Sequence, residues 1–180
     1  MEDLLLKCLN SYKVLMDYRY HYVLGHKNKT ISLTVEFPKD SFFHLAGLHK
    51  SGFAVLANRK GVFQAISDKK VTQDMFIQAG YSLEDRWQCI CGLKDLLEDN
   101  RTVFRYRGHE HPGSRIEADF LISDPQILFF ICDGKPASIF AQSDQGYERG
   151  CPPFKVLQLI REYIPTDQSE LIYKSTHYHQ

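Results

Sequence analysis

The sequence predicts an α+β domain in which helices gather on one side of an antiparallel sheet. Three observations carry that prediction. Apolar residues at helical spacing mark residues 2–16 and 82–100. Aromatic and β-branched runs with a short polar break fill 18–37. From Thr102 onward the pattern turns to alternating strands that include an Asp133-Gly134 turn. The expected domain spans 1–165, and 166–180 reads as a polar, loosely held tail.

Taken in order, Leu5, Leu9, Tyr12 and Met16 repeat at helical spacing and predict an amphipathic helix. "YRYHYVLG" (18–25) and "KTISLTVEF" (29–37) flank the polar stretch after Gly25 and predict a β-hairpin. Asp40 follows Pro38 and precedes "SFFHLAGLHK", so it is the expected N-cap of a helix over about 41–51 that stops near Gly52. "AVLANRKGVFQAI" reads as two short strands or a loose hairpin around "NRKG". "TQDMFIQAG" reads as a short helix from a Thr72 cap to Gly80.

The clearest helix is "SLEDRWQCICGLKDLLEDN". Leu83, Trp87, Ile90, Leu93 and Leu97 keep its period, and Ser82 with Asp85 makes a capping-box variant. "TVFRYR" (102–107) alternates. In "RIEADFLIS" (115–123), Ile116, Ala118, Phe120 and Ile122 are expected on one face, with Arg115, Glu117 and Asp119 on the other. "ILFFICDGKPASIFAQS" holds the strongest hairpin signal, an Asp-Gly turn between apolar runs. "FKVLQLIREYIP" (154–165) fits a last strand or a short helix, and periodicity does not decide between them.

Composition excludes several functions. The chain has 180 residues, with 22 Lys and Arg against 22 Asp and Glu, so the whole surface gives no attraction to nucleic acid or membrane. A nucleic-acid partner needs a local basic patch. The N-terminal segment fits neither a signal peptide nor a membrane span. Five irregularly spaced cysteines read as reduced thiols of a cytoplasmic protein. Cys89 and Cys91 lack the two-residue spacer of a redox or zinc pair, and no phosphate loop, dinucleotide fingerprint or nucleophile elbow occurs. No cofactor and no metal are expected.

Scattered polar residues are left to carry chemistry. On one straight helix at about 100° per residue, His49 points among Phe42, Leu45 and Ala46, while His44 lies on another face beside Leu48. The two imidazoles are therefore not expected to act together, with Lys50 about a quarter turn from His49. A histidine on an apolar helix face is commonly a hydrogen-bonded core residue; at a sheet edge it moves protons near neutral pH. Arg115 offers a planar donor fork to phosphate, although a solvated sheet face is the commoner setting for Arg115, Glu117 and Asp119. Gln142, Ser143 and Tyr147 follow the last hairpin strand, where a chain leaving a sheet often carries function. "RYRGHEHPGSR" gathers Arg105, Arg107 and Arg115 around Tyr106, a set suited to an RNA backbone and a stacked base. His109 and His111 make an incomplete metal site, and His177 and His179 fall in the tail.

Two stretches, "FFHLAGLHK" after a hairpin and "RIEADFLIS…ILFFICDGKPASIFAQS", together carry a resemblance. They resemble the phage-encoded nuclease-like domains grouped with barnase, EndoU, certain colicins and RelE. Within that group they resemble the fourth phage subgroup, in which an aromatic-X-His-Leu-X-Gly-Leu stretch recurs. The resemblance runs from about Tyr18 to Tyr163. It implies helices packed on a curved antiparallel sheet and RNA cleavage without a metal, the ribose 2′-hydroxyl attacking to leave a cyclic phosphate. Carried over residue by residue, it implies roles for His44, His49 and Lys50, for Arg115, and for Ser143 and Tyr147. It also implies RNA, tRNA included, as partner, an antidote or partner protein, and a toxin or phage effector role in a bacterial or phage-infected cell. One departure stands out: such enzymes are often basic, and this chain is neutral.

Three readings follow. A metal-independent endoribonuclease requires His44 or His49, Arg115, and Ser143 or Tyr147 to converge on one cleft. A non-catalytic nucleic-acid- or protein-binding module on the same fold would fill that cleft with apolar side chains, and the neutral charge fits it. An enzyme acting on a nucleotide or peptide has only the general presence of polar residues behind it.

Overall fold

A computed structural model describes residues 3–108, 115–143 and 145–178. The architecture is α+β, with helices packed against a strongly curled antiparallel half-barrel. The first helix, α1 (Leu4–Met16), buries Leu5, Leu9, Tyr12 and Leu15. The Asp3 carboxylate caps it by accepting from the Leu6 N–H at 2.9 Å. The same carboxylate accepts from the Gln73 N–H at 2.8 Å, and the Gln73 side chain accepts from Leu4 N–H at 3.0 Å. Two helix starts thus satisfy each other's orphan donors.

Strands β1 (Tyr18–His26) and β2 (Lys29–Glu36) form the expected first hairpin. The sheet continues through β3 (Thr102–Arg105), β4 (Phe120–Ser123), β5 (Ile127–Cys132), β6 (Lys135–Ala141), β7 (Pro153–Tyr163) and β8 (Gln168–Lys174). Its order is β2-β1-β7-β3-β4-β5-β6, with β8 also on β7. The long β7 pairs with β1 along one side. Its other side is shared by β3 at residues 153–155 and β8 at residues 158–163. Curling brings the far ends together: the Glu36 N–H donates to the Gly134 carbonyl at 2.9 Å. Asp133 and Gly134 both take positive φ, 48° and 71°, as a tight hairpin turn demands. A Cβ on Gly134 would collide with the Thr34 carbonyl oxygen, so glycine there permits the close approach.

The main core lies between the helices and the concave face of the sheet and includes Trp87, Tyr12, Tyr20, Phe42, Phe76 and Phe129. A second, smaller cluster of Tyr106, Leu121, Leu128, Phe130 and Cys151 covers the opposite face of β3–β6. Along β5, Ile127, Phe129 and Ile131 go to the first cluster and Leu128 and Phe130 to the second, so this strand is apolar throughout.

Several expectations need correction. The helix over 41–51 is broken: α2 covers Ser41–Leu45, Gly47 turns left-handed at φ 75°, and a 3₁₀ turn follows at Leu48–Lys50. Asp40 precedes α2 but makes no capping hydrogen bond. The expected strands around "NRKG" are 3₁₀ turns leading into α3 (Val62–Ser67), because Val62, Ala65 and Ile66 bury at helical spacing. Helix α4 (Gln73–Gln78) follows Thr72 as expected. Helix α5 (Glu84–Asp99) starts after Leu83, whose N–H is met by the Glu84 carboxylate at 2.9 Å and not by Ser82. Residues 115–119 lie outside the strand. Ile116 and Ala118 pack on the second cluster, opposite Phe120 and Ile122. The ambiguous 154–165 is strand, and the expected loose tail holds β8, an edge strand paired along β7.

Candidate active site

The broken helix is what builds the site. A left-handed residue at Gly47 reverses the chain so that the following turn folds back over α2. A Cβ there would lie 3.0 Å from Leu83 Cδ2 and 3.3 Å from Arg86 Cδ, so the turn also needs a bare backbone. Helix α5 locks it in place. The Trp87 indole N–H donates to the Ala46 carbonyl at 3.0 Å, and Arg86 reaches the Leu45 carbonyl at 3.4 Å.

The consequence is a pairing that a straight helix forbids. The His44 and His49 rings sit 4.8 Å apart between centroids, and Phe43 flanks them at 5.7 Å and 6.4 Å. Both histidines are exposed, so neither is a core residue. Lys50 follows directly and is exposed too. Among the described residues, no carboxylate lies within ion-pair distance of either imidazole. Partial burial lowers the His49 pKa below its ordinary 6.5, and positive charge on His44, Lys50 and Arg86 lowers it further. The Phe43 backbone carbonyl works weakly the other way.

Two arginines complete the ring. The Arg86 guanidinium lies 4.8 Å from the Phe140 ring centre, reaching β6 and fixing the cation beside the turn. Burial lowers its pKa from the usual guanidinium value. Arg59 stands 5.3 Å over the Phe43 ring. Beside the imidazoles a cavity of about 290 Å³ is lined by Phe43, His49, Ser51, Phe53 and Arg59. The Ser51 hydroxyl is not a free nucleophile, since it donates to the Leu48 carbonyl at 2.9 Å from a buried position.

The other sequence candidates fall elsewhere. Ser143 is exposed just past β6, its N–H held by the Gln142 side chain at 3.1 Å, three residues beyond the Phe140 that Arg86 covers. Tyr147 packs edge-on against Phe130 at 5.4 Å in the second cluster. Arg115 is exposed and precedes Ile116 of that same cluster. Tyr106 is only 5% exposed and meets Phe130 edge-on at 5.0 Å, so a base cannot stack on it without displacing core packing. Arg105 lies 4.7 Å over Phe120, and Arg107 is exposed. His109, His111 and His179 lie outside the described residues.

For metals, one group among the described residues has the right donors. Asp119, Cys132 and Asp133 place ligand atoms within 4.8 Å of one another at the β5–β6 turn. Asp119 there already accepts from the Asp133 N–H at 2.9 Å, which accounts for its position structurally. No helix among the described residues is long and apolar enough to cross a membrane.

Sequence reasoning missed Arg86 and Arg59. Arg86 sits inside the clearest helix, next to the buried Trp87, and a long cation beside a core tryptophan was the available signal. Arg59 lay in a stretch read as a turn.

One family model, described as phage-Barnase-EndoU-ColicinE5/D-RelE like nuclease4, matches residues 4–172. No curated protein and no solved structure matches the chain.

Proposed function

The chain belongs to this phage-Barnase-EndoU-ColicinE5/D-RelE like nuclease family, and from that premise we propose that it is an endoribonuclease whose reacting groups are His44 and His49. The observation that carries the proposal is the imidazole pair, 4.8 Å apart, ringed by Lys50, Arg59 and Arg86 with no carboxylate partner among the described residues. Two close imidazoles resist carrying two protons at once, so the singly protonated pair offers one acid and one base.

His49, held low, is the base that takes the 2′-hydroxyl proton. The freed 2′-oxygen attacks the adjacent phosphorus, and the bond from phosphorus to the 5′-oxygen breaks. His44 gives its proton to that leaving oxygen. The products are a 2′,3′-cyclic phosphate and a 5′-hydroxyl. Arg86, fixed on Phe140, and Lys50 lie where they offset charge building on the phosphate oxygens. Every proton in this scheme has a side-chain donor or acceptor, so the scheme runs without a metal. Ser143, just past the strand that Arg86 reaches, is a substrate contact in this reading, not a reacting group.

Local charge supports RNA as the substrate. Residues 39–70 hold six Lys and Arg against two Asp, while the whole chain is neutral. The phage affiliation of the family supports an effector role on cellular RNA, tRNA included, in the cytoplasm. A partner protein covering the turn at Gly47 would silence it. The test is product analysis: purified protein with a tRNA pool in excess EDTA. The expected products end in 2′,3′-cyclic phosphate; intact RNA from well-folded protein would overturn the reading and leave a binding module.

A further inference from the structure

The imidazole pair is only the centre of a longer cationic strip. On the other side of Phe43 lies a second cavity of about 250 Å³, lined by Lys39, Asp40, Phe43, Arg59, Lys60 and Phe63. Phe43 and Arg59 wall both cavities, so the two are neighbours. Phe63 is half-buried, held edge-on by the fully buried Phe42 at 5.3 Å. Lys39 stands 5.0 Å and Lys13 6.0 Å from the Phe63 ring centre. Lys39, Arg59 and Lys60 are exposed, and among the described residues none has a carboxylate within ion-pair distance.

We propose that this cavity is a subsite for one nucleobase of single-stranded RNA, stacked on Phe63, with flanking phosphates on Arg59 and Lys60. The inference rests on the endoribonuclease reading for the direction of the strand, which runs past Phe43 to the imidazoles.

Cations and aromatic rings answer two needs of such a strand. The backbone is held by unpaired charge, and a base stacks on any ring regardless of its identity. Lys39 covers Phe63 in the free protein. An exposed ammonium over a ring is held weakly, less than a stacked base in the same place, so Lys39 swings aside onto phosphate. Asp40 is the one carboxylate on the lining. Against Lys39, Arg59 and Lys60 it leaves the lining net positive.

The test is binding without cleavage. The probe is a fluorescein-labelled 2′-O-methyl RNA oligonucleotide, which lacks the attacking hydroxyl, followed by anisotropy across a salt series. Phe63→Leu is expected to weaken binding about tenfold. Lys39→Gln and Lys60→Gln are each expected to reduce the slope of log affinity against log salt by about 0.7. Because Phe63→Leu also touches core packing, the two surface lysine variants decide the matter independently. Affinities and slopes equal to wild type in all three variants overturn the subsite. A wild type that cleaves RNA while these variants bind unchanged overturns the subsite and leaves the nuclease. A wild type that cleaves nothing but shows the expected losses keeps the subsite and removes the nuclease reading.

Discussion

Among the described residues, histidine and arginine meet in two regions with opposite company. On the outer face of β1 and β7, His21 Nε2 lies 2.6 Å from Glu162, and Arg19 bridges Glu36 at 2.6 Å and Glu162 at 3.2 Å. Nearby, Glu98 accepts from Lys94 and Arg161, each at 2.7 Å, and from the Tyr20 hydroxyl at 3.1 Å. Each of these cations has an acidic partner. At the Gly47 turn, His44, His49, Lys50, Arg59 and Arg86 gather with none among the described residues. Neutralised charge on the sheet fastens strands. Unneutralised charge of one sign costs stability and leaves a field for an anion to fill.

The comparison can be broken by geometry alone. Gly47→Val removes neither imidazole, yet a side chain at φ 75° that meets Leu83 and Arg86 must move the turn. A displacement of about 1 Å at reacting groups lowers cleavage about a hundredfold. Cleavage rates of the folded variant, confirmed by circular dichroism, check it. Thermal unfolding is expected to show a loss of about 1–2 kcal/mol as well.

The paired region answers in stability and not in activity. Glu98→Gln takes from Arg161, whose side chain is 16% exposed, the more buried of its two carboxylate partners and leaves it only the exposed Glu170. A loss of about 2 kcal/mol is expected, below the figure for a fully buried pair because both groups see some water. Burial pushes the Glu98 carboxyl up, but hydrogen bonds from Lys94 and Arg161 outweigh it and leave the carboxyl below its ordinary 4.5. Its contribution is therefore whole above about pH 4.5 and disappears as pH falls through the lower folded value. Denaturant melts across that range are expected to show a shallower acid decline for Glu98→Gln than for wild type.

The smallest effect sharpens the acid-base assignment. The acid limb of the kcat/KM profile reports the base in the free protein. It is expected below the ordinary imidazole value of 6.5, because burial first and then His44, Lys50 and Arg86 lower His49. Lys50→Gln removes one of those charges, and the limb is expected to rise by a fraction of a unit. His21→Gln, on the paired face, is expected to leave the limb in place.

The two regions also differed in how well the sequence revealed them. The first hairpin, α5 and the Asp133-Gly134 turn were legible because each is set by local chemistry: β-branched alternation, helical spacing and a turn dipeptide. Strand β8 was not, because its pairing comes from β7 and its short Leu-Ile-Tyr run between polar residues shows no alternation. The site was half legible. Residue type and motif pointed to His44, His49 and Lys50 as candidates, but a straight helix was assumed through Gly47, which set the imidazoles apart. Arg86 arrives from 41 residues beyond Leu45, and no local pattern links the two. The aromatic Tyr106 shows the converse error, since a ring among arginines looked like a stacking platform and is a buried support for Phe130.

The central claim is that the unpaired histidines react and the paired one does not. Its most direct test is cleavage of a single-stranded RNA reporter in EDTA by His44→Ala, His49→Ala and His21→Ala, with folding of each confirmed. Loss of about 10²–10⁴ in rate for the first two, with His21→Ala within twofold of wild type, is the predicted result. Cleavage that survives both turn variants would contradict the account and move the active site away from the Gly47 turn.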